Sequence, residues 1–67
     1  MQRVFFQIDL ANVQMKTALQ KALNQMEGVR QVEIDLGNRS LAVGFTSPAN
    51  RDSIAGCITD AGFAVLG

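Results

Sequence analysis

Histidine, tryptophan and tyrosine are absent from this 67-residue chain, and cysteine and proline each occur once. Without an imidazole, Ser–His–Asp and Cys–His catalysis is excluded and the commonest metal ligand is missing. A lone Cys57 forbids an internal disulfide and fits a reducing, cytoplasmic setting. Charge of one sign is missing too: six basic residues balance six acidic ones. That neutrality removes the footprint expected of a nucleic-acid binder or of a domain held on an anionic membrane. No apolar run approaches the ~20 residues of a membrane-spanning helix. The start, Met1-Gln2-Arg3, leads straight into a strand-like segment with neither the apolar stretch nor the cleavage site of a signal peptide. Gly37, Gly44 and Gly62 follow no phosphate-cradling spacing, and Asp9, Asp35, Asp52 and Asp60 show no pairing for acid–base work.

What is present is a patterned apolar half: 48% of residues are hydrophobic and only 18% charged, enough for one small domain over residues 1–67. Residues 3–8 alternate, with Val4, Phe6 and Ile8 on one face and Arg3, Phe5 and Gln7 on the other, the period of a strand. From Val13 to Met26, apolar Met15, Leu19, Ala22, Leu23 and Met26 recur at helical spacing, and Gly28 suits a left-handed helix end. A second strand follows with Val32, Ile34 and Leu36 inward. Gly37-Asn38-Arg39 then turns into a third strand with Leu41, Val43 and Phe45 inward. Asn50 to Ala61 reads as a second helix with Ile54, Cys57, Ile58 and Ala61 on its buried stripe, stopped at Gly62. Residues 63–66 are long enough for a last short strand. The order βαββαβ predicts an α+β, ferredoxin-like sandwich. Two right-handed crossovers place both helices on one face of a four-stranded antiparallel sheet.

Four segments carry a resemblance to a family. Val4-Phe5-Phe6-Gln7-Ile8 opens the chain, Ala22-Leu23 closes the first helix, residues 28–36 read GVRQVEIDL, and residues 54–63 end in Asp-Ala-Gly-Phe. In this order and spacing they resemble the heavy-metal-associated domain, the family of small copper chaperones, mercury carriers and N-terminal modules of metal-pumping P-type ATPases. The resemblance implies a non-enzymatic domain that works by binding, within heavy-metal transport or detoxification. It also implies a metal-transporting ATPase or a related small domain as partner, and a monomer or weak homodimer.

The family's metal loop reads Gly-Met-Thr-Cys-x-x-Cys, and here the chain departs from it. Aligned without gaps from Ala22-Leu23, Asp9 falls on the glycine, Leu10 on the methionine and Ala11 on the threonine. Asn12 and Met15 fall on the two cysteines. Soft Cu(I), Zn(II) or Hg(II) are gripped by two thiolates, which a helix N-terminus helps to ionise. An amide and a thioether supply no anionic sulfur, so a degenerate site is expected, with no cofactor and at most weak Cu(I) or Zn(II) contact. Both replacements have a structural reading. Asn12 stands where a helix N-cap is needed, as Asn50 does before the second helix, and Met15 extends the stripe of Leu19. Cys57 reads as a small core residue.

Three functions follow from different readings: a metal carrier completed by a partner's ligands, a protein-docking module, and a small-ligand sensor of the same topology. Docking is the reading favoured, on a surface of Leu10, Val13, Gln14, Lys16 and Phe63 around the old metal loop. Phe5 stands on the open sheet face beside small Ala42, Gly44 and Thr46. That leaves too few aromatics for a base-stacking RNA platform.

Overall fold

A computed structural model of the chain describes residues 1–67. Strand β1 (Gln2–Gln7) leads to helix α1 (Val13–Asn24), then β2 (Val29–Asp35), β3 (Ser40–Phe45) and helix α2 (Arg51–Asp60). The sheet order is β1-β3-β2, with both outer strands antiparallel to β3. The alternation in each strand sorts the side chains as expected. Phe6, Leu41, Val43 and Phe45 are buried beneath the helices, while Phe5 and Glu33 lie on the opposite, open face. Leu19 and Leu23 of α1 and Ile54 and Ile58 of α2 close the core from above. Neither helix is long and apolar enough to cross a membrane.

The expected fourth strand is not formed. The tail makes a single antiparallel bridge, Ile8 to Val65, on the free edge of β1. Gln7 donates its N–H to the Gly67 carbonyl at 2.9 Å, and Asp9 donates to Ala64 at 3.3 Å. Gly62, at φ +95°, ends the second helix only five residues before the last one, too few for a ladder. What the tail gains instead is a helix-end motif. Phe63 N–H reaches the Ile58 carbonyl and Gly62 N–H reaches Thr59, the paired bonds of a Schellman cap, with Phe63 and Ile58 both buried.

The first helix is also shorter than its apolar spacing suggests. It stops at Asn24 with Gln25 as a right-handed C-cap, so Met26 packs on the core from outside the helix. Gly28 is not that helix's left-handed end. It takes φ +94° because its backbone lies against the Thr46–Ala49 connection, where Thr46 donates its N–H to the Gly28 carbonyl at 2.8 Å. One residue later the β2–β3 register shifts between Val29 and Gln31, leaving Arg30 unpaired in a bulge.

Candidate functional site

The loop between β1 and α1 occupies one end of the domain, and two other segments meet it there. Ile8 donates its N–H to the Arg39 carbonyl at 3.0 Å and Gln7 Nε2 reaches the Asn38 carbonyl, tying the β2–β3 turn to the end of β1. The tail is tied by Asp9, whose carboxylate accepts the Ala64 N–H at 2.8 Å while its own N–H goes to the Ala64 carbonyl. This two-way clasp needs a carboxylate where the resembled family has glycine. Spacing gives no sign of it; the change at Asp9 in the ungapped alignment was the available signal.

Asn12 is a helix cap. Its backbone is extended, and its side-chain Oδ1 accepts the Met15 N–H at 2.9 Å, the geometry that satisfies a first-turn amide. Asn50 does the same for Ser53 at 2.8 Å, with the Ser53 hydroxyl returning the bond to the Asn50 N–H. Met15 is half-buried and packs against the apolar core. The two residues aligned with the metal cysteines are therefore coupled to each other by a backbone bond, one amide oxygen already committed and one thioether turned toward the core. These donors do not fit a soft metal ion, which wants anionic sulfur. No three of the His, Cys, Asp or Glu side chains gather anywhere in the fold.

The surface around this loop is smaller than the sequence suggests. Leu10 is 2% and Phe63 7% exposed, so both belong to the core and offer nothing to a partner. A hydrophobic residue beside a helix start is as readily its inner wall as its outer face, and the clasp at Asp9 pulls Leu10 inward. Val13 is 64% exposed, Gln14 is exposed and Lys16 is half-buried, so these three present the first turn of α1 to solvent. Asn12 and Ala11 extend the patch. Hydrogen bonds from the Asn38 side chain and then its backbone hold Asp35 below the usual carboxylate range, with Lys16 adding its positive charge.

Cys57 lies away from this end, half-buried between the helices with Sγ 3.8 Å from the Ala22 carbonyl. Burial, and then the charge of Asp60, raise its pKa. A protonated, packed thiol is the opposite of an activated one.

With this geometry in view, comparison with known proteins places the chain. No family model matches it. A COP-associated protein of Helicobacter felis is 36% identical over 45 residues, spanning 67% of this chain and 68% of that protein. Apo-CopP from Helicobacter pylori superposes with a TM-score of 0.89 at 26% identity, over 97% of this chain and all of that one. The CopZ metallochaperone gives 0.91 at 22% identity over the same shares, and a copper-binding domain of a P-type ATPase gives 0.90 at 21%, over all of this chain and 96% of that one. The class defined by the fold and the helix-start loop is that of small metal-handling βαββαβ domains. The chain belongs to the heavy-metal-associated domain family.

Proposed function

We propose that this domain works by docking within a metal-transport system and that its own ion grip has been replaced by a helix cap. One observation carries the reading: the 2.9 Å bond from the Met15 N–H to the Asn12 side chain, linking the two positions aligned with the cysteines. The cap and a thiolate pair compete for the same first-turn amides, so occupying them with Asn12 favours folding over ion capture. The docking face left is Asn12, Val13, Gln14 and Lys16, an exposed polar turn with one exposed valine at its centre. Relatives that include a metallochaperone and a P-type ATPase domain support a partner of that kind, either a metal-transporting ATPase or another small domain of this fold.

The test is a competition titration of Cu(I) and Zn(II), under anaerobic conditions, into the native chain and into Asn12→Cys/Met15→Cys. Negligible affinity in the native chain and tight, stoichiometric binding in the double variant are expected. Loss of the cap should also make the metal-free variant about 1 kcal/mol less stable. Tight Cu(I) binding by the native chain, lost in Met15→Leu, would overturn the reading in favour of a carrier. Failure of the double variant to bind would show that the loop is not a refilled metal site.

A further inference from the structure

The open face of the sheet holds a second surface, independent of the helix-start loop. Along β3 its floor is made of small residues: Gly44, Ala42 and Ser40 face outward between two taller rows. On the β1 side stand Arg3 and Phe5, and on the β2 side Gln31 and Glu33, each in register with the floor. Phe5 is 66% exposed, the most exposed aromatic of the fold. Above Gly44 the trough is filled, because Met1 Sδ lies against it and the Arg3 guanidinium crosses to Gln31 and Glu33 at 3.3 and 3.8 Å. Above Ala42 and Ser40 it is open, as a depression of about 550 Å³ walled by Phe5 and Glu33.

We propose that this trough is filled by a second copy of the chain, packed face to face about a two-fold axis running along β3. The charge pattern selects this occupant. Positive charge stands on the β1 row and negative charge on the β2 row, so a rotation about β3 brings each row over its opposite in the partner copy. A basic or an acidic segment would match only one wall and oppose the other. The same rotation lowers each Phe5 ring toward the other copy's Ala42 floor, filling the depression with the one large apolar group nearby. The Arg3–Glu33 pair is exposed on both sides and long, so exchanging it for the equivalent pair between copies costs little. Three strands of six residues cover only ~300 Å² per copy from strand spacing and rise, well below the ~800 Å² per partner of stable interfaces. Self-association is therefore weak, with Kd on the order of 1 mM.

The experiment follows amide shifts and translational diffusion while the native chain is diluted from ~2 mM to ~0.05 mM, a range bracketing that Kd. Concentration-dependent shifts confined to the open face are expected, and Phe5→Ser should abolish them. Arg3→Glu and Glu33→Arg should each weaken association about tenfold or more, while an equimolar mixture of the two recovers it, because every cross-copy pair is again attractive. All three side chains are exposed, and each variant's amide spectrum reports directly whether the fold is kept. A native chain that diffuses as a monomer throughout, shifts that map to the helices, or a mixture that fails to recover would each overturn the proposal.

Discussion

Replacing Gly28 by alanine should be the most damaging single-methyl change available to this domain, and Gly62 supplies its control. Both glycines sit at positive φ, +94° and +95°. An L-residue there loses roughly 1 to 2 kcal/mol from steric strain alone. The two differ in what a Cβ would touch. At Gly62 nothing lies within 4 Å, whereas at Gly28 a Cβ would fall 2.5 Å from the Thr46 carbonyl oxygen, 2.8 Å from Ala49 N and 2.9 Å from Ala49 Cβ. Two of those three atoms are backbone, and the same connection carries the Thr46 N–H bond to Gly28 and leads directly into the Asn50 cap of α2. Relieving such overlap adds about 1 to 3 kcal/mol. Gly28→Ala should thus cost about 2 to 5 kcal/mol against a total stability of about 3 to 10 kcal/mol for a chain of this length. Gly62→Ala should cost only about 1 to 2 kcal/mol. Urea unfolding followed by far-ultraviolet circular dichroism, with midpoints compared at a common slope, measures both. Equal losses at the two sites would refute the reasoning, because they would mean that Gly28 is kept for its dihedral and not for the approach of the Thr46–Ala49 connection.

Two further outcomes test the site and the core. Asp9→Ala should speed exchange of the Ala64 amide and loosen residues 64–67 while leaving β1–β3 pairing intact; hydrogen exchange read residue by residue checks it, and unchanged protection at Ala64 would show that the clasp does not hold the tail. For Cys57, burial first and Asp60 second raise the thiol's pKa in the folded state above its ordinary 9.0, so the folded state holds the proton more tightly than the unfolded chain. The stability this contributes is complete below pH 9 and is lost as pH rises beyond it. Native stability should therefore fall more steeply above pH 9 than that of Cys57→Ala, and parallel pH profiles of the two would contradict the packed-thiol placement.

Periodicity carried most of the fold because the inward residues of each strand and helix are apolar without exception at the core positions: Phe6, Leu41, Val43, Leu19, Leu23, Ile54 and Ile58 are all buried where the pattern puts them. Where the pattern failed, a tertiary approach had overridden a local signal. Gly28 looks like a helix stop in isolation, yet its conformation answers to a loop some eighteen residues later in the chain. Residues 63–66 have strand-like composition, but Phe63 is spent on the Schellman cap and only Val65 bridges β1. At the site, capping chemistry is local and so Asn12 was readable from its neighbours, as was Met15 from its spacing to Leu19. The inward turn of Leu10 was not, because it depends on Asp9 reaching a residue 55 positions away.

The two halves of the fold explain why the first-helix loop has its present form. Each half begins a helix with Ala-Asn, and each asparagine accepts the amide three residues on, at 2.9 Å for Asn12 and 2.8 Å for Asn50. A helix N-terminus offers unpaired amides that are served either by a side-chain oxygen of the chain or by an anion, and thiolates at the same spacing belong to the second kind. In the second half of this domain the first solution was always the natural one, since nothing is bound there that would compete. Asn12 gives the first half the same solution, and Asp9 then fixes the loop from its other side by fastening it to the tail. A loop held at both ends cannot readily open to wrap an ion, but it presents Val13, Gln14 and Lys16 in one fixed arrangement, and a fixed surface loses less entropy when it meets a partner. The changes that remove a metal grip and those that rigidify a docking turn are, at this helix start, the same residues.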